Sequence, residues 1–152
     1  MSEVMIGGFP FNEKNLYDDR LQTWARLDSD DTIVLGLTAF WRSLVGEDTR
    51  ILINFPPFRI EIQKPFGLLQ SARKVDLLYS PINGELIELS GYKESVAAIM
   101  PESSNAWFAR VKIPDDESIN HLMRPSECEE KILLLINRLS EENAALNSTC
   151  CG

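Results

Sequence analysis

Residues 67–89 read GLLQSARKVDLLYSPINGELIEL. Leu68-Leu69 and Leu77-Leu78 flank a short polar run, Ser71-Ala72-Arg73-Lys74, and Pro81-Ile82-Asn83-Gly84 breaks the apolar pattern again before Leu86 to Leu89 resumes it. A polar break between two apolar runs is a turn. Pro-x-Asn-Gly is turn chemistry in its own right, because proline presets one backbone dihedral and Asn-Gly tolerates positive φ. The stretch therefore predicts a strand, a tight polar tip, a second strand, a turn and a third strand. The rest of the chain reads as the frame that holds the tip out to solvent.

Working outward, Gln22 to Leu27 (QTWARL) and Thr32 to Leu37 (TIVLGL) are β-branched and apolar, and Asp28 to Asp31 between them is a run of short polar side chains, which predicts a hairpin. Thr38 is a good N-cap for a short helix over Ala39 to Val45, and Gly46 suits its end in the left-handed conformation. Arg50 to Phe55 is a strand stopped by Pro56-Pro57, since proline lacks the amide a ladder requires. Phe58 to Gln63 alternates apolar and polar residues, the period of a strand with one buried face. Pro65-Phe66-Gly67 reads as a turn.

Beyond the central stretch, Ser90 to Ser104 reads as a loop with one helical turn, and Trp107 to Ile113 as the last strand. Pro114 to Met123 reads as a short helix with acids at its positive N-terminal end. Pro125-Ser126-x-x-Glu129 has the form of a capping box opening one long helix. That helix would place Ile132, Leu135, Ile136, Leu139 and Leu146 on one face, packed back onto the sheets or, as the alternative, meeting a partner helix. Residues 1–18, with Gly-Gly, Pro and Asn, read as an irregular arm, 19–125 as the body, 126–146 as the C-terminal helix and 147–152 as a flexible, frayed tail. Many short strands with turn punctuation indicate a mainly β fold, a sandwich or barrel-like sheet pair with helices added at one end.

The chain has 152 residues, 44% of them hydrophobic, with 23 acidic and 15 basic side chains and a net charge of -8. That size and composition suit one domain with a buried core. The acidic balance argues against nucleic acid as a partner, since phosphates require a basic face. No run of 18 apolar residues is present, so no membrane span is expected. The start, MSEVMIGGFPFNEK, lacks the basic lead and sustained apolar run of a secretory signal. Three cysteines, two adjacent, make no disulfide framework, and a reducing cytoplasm fits best.

The same cysteines make a poor metal site, because adjacent residues are awkward joint ligands and there is no Cys-x-x-Cys. Cys128 is expected on the long helix, packed. Cys150 and Cys151 are candidate redox thiols. His121, the single histidine, has no triad spacing around it and reads as a surface or packing residue. No catalytic residue and no metal ligand is assigned.

Taken together, several stretches resemble the glycine cleavage system H protein, a lipoyl-carrier family. Trp24 precedes a hairpin; Gly36-Leu37-Thr38 precedes a short helix ending Leu44-x-Gly46-Glu47. Pro65-Phe66-Gly67-Leu68-Leu69 leads into the tip, Leu78-Tyr79-Ser80-Pro81-Ile82-Asn83-Gly84-Glu85-Leu86 leads out, and Trp107 begins the final strand. The likeness covers roughly residues 20 to 125. It implies a barrel-sandwich hybrid, two small sheets folded over each other with the modified side chain at a hairpin tip. In that family the tip reads Glu-Ser-Val-Lys-Ala and its lysine carries lipoate. Counted back from Tyr79-Ser80-Pro81 without gaps, the tip here is Gln70-Ser71-Ala72-Arg73-Lys74. Arg73 then stands at the lipoyl-lysine position, Gln70 at the glutamate, and Gln22 where a histidine is common.

Lipoylation forms an amide on a lysine amine. A guanidinium with a pKa above about 12 delocalises its lone pair and is no ordinary acyl acceptor. Arg73 should not carry lipoate. Lys74 is one residue away, which in a strand reverses the side-chain direction, a rule that softens at a turn. The leading expectation is a non-enzymatic H-like protein that has lost lipoylation and acts as an interaction module. It would use Gln70, Ser71, Arg73 and Lys74 at the tip, with no cofactor, on lipoyl-handling or glycine cleavage type enzymes. The alternatives are a carrier lipoylated at Lys74 that shuttles an aminomethyl group or electrons, and a thiol protein acting through Cys150-Cys151.

Overall fold

The computed structural model describes residues 3–90, 98–99 and 106–151, apart from the side chains of residues 98, 99, 116 and 144–151. Among these residues the strands are β1 (Glu3–Ile6), β2 (Phe9–Asn12), β3 (Leu16–Tyr17), β4 (Thr23–Leu27), β5 (Thr32–Leu37), β6 (Arg50–Ile53), β7 (Phe58–Ile60), β8 (Pro65–Gln70), β9 (Val75–Tyr79), β10 (Gly84–Leu89), β11 (Ala98–Ile99) and β12 (Trp107–Lys112). The α-helices are α1 (Ala39–Val45) and α2 (Glu129–Cys151). One sheet has six strands in the order β3-β4-β5-β12-β10-β7, a second has four in the order β11-β6-β8-β9, and β1-β2 form a separate hairpin. The result is mainly β, a lipoyl-domain-like barrel-sandwich with short helical segments and a long C-terminal helix.

The unbroken apolar run TIVLGL in β5 has a direct structural counterpart. Ile33, Leu35 and Leu37 face one core, shared with Ile51, Leu69, Leu78, Leu86 and Phe108 between the two sheets. Val34 faces a second core with Trp24, Phe40, Ile132, Leu135 and Ile136, between the six-stranded sheet and the helices. A strand buried on both faces needs no polar alternation. Gly36 pairs with Trp24 across β4 and β5. A Cβ at Gly36 would fall 2.1 Å from Cε2 of that indole, so only glycine lets the ring lie across the strand.

Helix α1 starts as the sequence indicates. The Thr38 hydroxyl accepts a bond from the Trp41 amide at 3.0 Å and donates one to the Leu21 carbonyl at 2.6 Å. Gly46 closes the helix at φ 121 and ψ 153, a positive-φ conformation outside the left-handed helical well expected for it. The apolar stripe of α2 packs back on the body as far as Leu139: Ile132, Leu135 and Ile136 are buried and Leu139 packs beside them, while the Leu146 side chain lies outside the described residues.

Several expectations are corrected. Residues 3–17 hold three short strands, β1 to β3, joined by turns, where an irregular arm is expected from the sequence. Val4, Ile6, Phe9 and Phe11 contribute to the helix-side core, and Gly7 and Gly8, at φ 60 and 88, make the tight turn between β1 and β2. The motif at Ser126 does not open α2. Pro125–Glu127 forms a 3-10 turn, with the Cys128 amide bonded to the Pro125 carbonyl, and the helix proper begins at Glu129. Cys128 therefore precedes the helix. The helix backbone continues to Cys151, so residues 147–151 extend it where fraying was expected. Pro65-Phe66-Gly67 lies within β8, and β7 is only three residues long.

The Pro81–Gly84 turn forms without positive φ. The Ser80 hydroxyl bonds the Ile82 carbonyl and the Asn83 side chain accepts from the Ile62 amide. Gly84 is needed for close approach, since a Cβ there would meet the Lys112 carbonyl at 2.6 Å. Asp116–Ile119 is a 3-10 turn, shorter than the helix expected over Pro114 to Met123. The loop expected from Ser90 to Ser104 lies largely outside the described residues; within it Ala98–Ile99 pairs with β6.

Candidate functional site

The β8–β9 ladder pairs Gln70 with Val75, so the next pair is Ser71 with Lys74, and Ala72 and Arg73 form the outermost turn. Side chains alternate along a strand. Leu69 and Ile51 face the inter-sheet core, so Gln70, Leu68, Val75 and Leu77 face outward. Ser71 and Lys74 share the inward direction of Leu69, while Arg73 stands exposed at the crest.

Four consecutive amides of the tip are satisfied locally. The Ser71 amide bonds the Lys74 carbonyl at 2.8 Å, and the Ser71 hydroxyl accepts from the Arg73 and Lys74 amides, both at 3.2 Å. The Ala72 amide bonds Oδ2 of Asp48, from the segment between α1 and β6, at 2.9 Å. The tip is thus a braced frame, and with these amides engaged its backbone is no anion-binding nest. Its side-chain chemistry rests on two cations. The Arg73 guanidinium has no hydrogen bond or ion pair with any described residue. Lys74 turns inward, and its Nζ donates to Oδ1 of Asn143 on α2 at 2.7 Å.

Gln22, noted in the sequence only as a replacement, is a structural tie. Its Nε2 donates to the Leu77 carbonyl at 2.8 Å and its Oε1 accepts from the Tyr79 amide at 2.9 Å, with 2% of the residue exposed. One primary amide thereby supplies both halves of a ladder pairing to the free edge of β9 and stitches it to the six-stranded sheet. Arg20 adds a second tie: its guanidinium lies 3.6 Å from the Tyr79 ring centroid and its Nε donates to Gln63 at 2.8 Å. The Leu77–Tyr79 part of that edge is thereby closed to strand addition. Leu21, at φ 52, and the turn from Asp18 aim Gln22 at that edge. Burial raises the Asp18 carboxyl above its ordinary range, against the pull of the Arg20 amide and charge.

The outward face of the four-stranded sheet carries an apolar row. Leu52 pairs with Leu68 and Leu68 with Leu77, so three leucines cross the sheet side by side, with Val75 exposed toward the tip. A hollow of about 760 Å³ opens beside them, lined by Leu52, Phe58, Phe66, Leu68, Arg59 and Lys64 among others. Residues 50–79, which include β6 to β9 and the tip, hold five basic and two acidic side chains, a net +3 in a chain of net -8, leaving -11 elsewhere.

The other candidates fall away from the tip. His121 bonds the Pro81 carbonyl through Nε2 at 2.6 Å and braces the turn. Cys128 is half-buried against the helix-side core. Cys150 and Cys151 lie on the α2 backbone, but their side chains fall outside the described residues. Among the described residues no group of three or more His, Cys, Asp or Glu could hold a metal, and no helix is long and apolar enough to cross a membrane. Sequence reasoning missed Asp48 and Asn143. Asp48 gave no signal. Asn143 did: it stands at a core-stripe position, between Leu139 and Leu146, where the period calls for an apolar residue.

Two small sheets folded over each other, with a braced hairpin tip, define a lipoyl-domain-like barrel-sandwich. The crystal structure of a glycine cleavage system H protein from Mycobacterium marinum superposes with a TM-score of 0.61 at 16% identity, over 77% of this chain and 94% of that one. The model of the glycine cleavage H-protein family matches residues 15–133, and the chain belongs to that family. A Bacillus licheniformis glycine cleavage system H protein is 29% identical over 72% of this chain and 87% of its own. A probable glycine cleavage system H protein 2 from Saccharolobus solfataricus is 24% identical over 81% and 86%. Proteins of this family are normally carriers that bear lipoate covalently and work with glycine cleavage enzymes; they are not themselves enzymes.

Proposed function

We propose that this chain is an H-type protein that does not carry lipoate and serves as a cytoplasmic protein-interaction module. One observation carries the reading: the crest of the tip holds Arg73, while the one amine of the tip, on Lys74, points inward to Asn143. A guanidinium does not accept an acyl group, so the crest does not fit lipoate. A planar, unpaired guanidinium fits a carboxylate or phosphate bidentately instead. Gln70 and Arg73, with Ser71 and Lys74 bracing them, form one end of the contact surface. The row Leu52, Leu68 and Leu77 extends it across the sheet. Apolar side chains within a net-positive segment suit a protein partner whose docking face is apolar at its centre and acidic at its rim. The lipoyl-handling or glycine cleavage type enzymes are the natural partners to try first, and nucleic acid and membranes are not expected.

The test is the intact mass of the protein from its own host, and of the chain co-expressed with a lipoate ligase and lipoate. The expected result is an unmodified mass under conditions where a lysine-bearing H protein is fully modified. A lipoyl increment mapped to Lys74 and lost in Lys74→Ala would overturn the reading and make the chain a carrier with a displaced attachment site.

A further inference from the structure

We propose that the distal part of α2 is a latch on the tip, in which Asn143 holds the Lys74 amine and withdraws it from acylation. The family match ends at residue 133, so Asn143 belongs to a segment beyond it. The inward stripe of α2 runs through Ile132, Ile136 and Leu139, and the next position in that series is Asn143. An apolar residue there would continue the stripe. Asparagine instead presents a carbonyl oxygen where the apolar core ends and the tip begins.

Lys74 is the polar side chain that faces it from the other side. It occupies an inward position of the hairpin, on the side that Asp76 and the buried Leu69 and Leu78 share. The two polar residues are 69 positions apart in sequence and meet at 2.7 Å. The Ser71 hydroxyl and Asp48 fix the backbone from which Lys74 projects, and the packed stripe fixes the helix from which Asn143 projects. The bond therefore joins two preorganised groups and costs little ordering on forming. An acylating reagent needs the amine free, so the latched state does not react.

The inference rests on the reading of the tip as unmodified, and the test separates the two. Trace acetylation of the unmodified full-length chain with acetic anhydride, followed by peptide mass spectrometry, gives a rate for each lysine. Lys14 and Lys112 are exposed and serve as internal references. Lys74 should label about fivefold more slowly than they do, the factor one charge-assisted bond supplies at a half-exposed site. Asn143→Ala should raise Lys74 to the reference rate without changing Lys14 or Lys112, and Asn143→Asp should restore the protection. Lys74 labelling at the reference rate in the parent chain would overturn the latch. So would an unchanged rate in Asn143→Ala, or a rise that Asn143→Asp does not reverse. A lipoyl increment in the intact mass, mapped to Lys74 by peptide, defeats the reading of the tip as unmodified; a missing latch shows only in the labelling of the unmodified chain.

Discussion

Gln22→Ala removes a primary amide that serves two backbone groups of an edge strand. In the parent, the Tyr79 amide donates to it at 2.9 Å and the Leu77 carbonyl accepts from it at 2.8 Å. Each bond contributes about 1 kcal/mol net, and each backbone group left without a partner costs about 1 kcal/mol or more where water does not replace it. Gln22 is 2% exposed while Leu77 is 42% exposed, so water reaches the carbonyl end of the broken tie more readily than the vacated amide site. The loss should total about 2–3 kcal/mol. For a chain of this length a kilocalorie moves the melting midpoint by about 2–4 °C, which gives a fall of about 5–10 °C. Circular dichroism melts measure the midpoint, and amide hydrogen exchange locates the damage, with Tyr79 expected to lose more protection than any other β9 amide. A midpoint within about 2 °C of the parent, with Tyr79 still protected, would refute the reasoning. Strand β9 would then owe its register to β8 alone.

Arg73→Lys should gain one lipoyl group by intact mass when co-expressed with a lipoate ligase, under conditions that leave the parent unmodified. Ile132→Ala empties a fully buried site in the helix-side core and should cost about 2–5 kcal/mol in urea titrations, with an unchanged m-value. Asp18→Asn should raise the melting midpoint at neutral pH. Burial raises the folded-state pKa of Asp18, so the native state holds this proton more tightly than the unfolded chain does. Stability therefore falls as pH rises from the ordinary carboxylate range through the raised value, and stays lower above it. Asparagine keeps the acceptor for the Arg20 amide and removes the charge. The gain should shrink as the pH drops below the unfolded pKa of about 3.9, and thermal melts across that range check it.

Local chemistry carried most of the fold. The hairpin tip, the Thr38 cap and the stripe of α2 were all legible, because each depends on residues within a few positions of one another. The N-terminal hairpin was not. Its four-residue strands are too short for alternation to stand out, and Gly7-Gly8 reads equally well as a break or as a tight turn. The Ser126 motif failed because Pro125 favours a 3-10 turn whose bond to Cys128 delays the helix. Legibility of the site divides the same way. Arg73 at the crest followed from counting along the strand. The ties that hold the tip did not, because Gln22 to Tyr79, Asp48 to Ala72 and Asn143 to Lys74 are all contacts across the fold; the helical period singles out Asn143, but no local pattern names its partner.

The charge is uneven along the chain: residues 50–79, which carry the tip and the strands beside it, hold net +3, and the remainder -11. An acidic partner that approaches the crest meets the exposed Arg73 guanidinium in a protein of net negative charge, so it is attracted there and repelled by the protein as a whole. Screening confines the effect to separations of about 8 Å at physiological salt. Added salt should therefore slow association with an acidic partner while leaving dissociation nearly unchanged, so the charge distribution sets how often an encounter begins in the right orientation rather than how long it lasts.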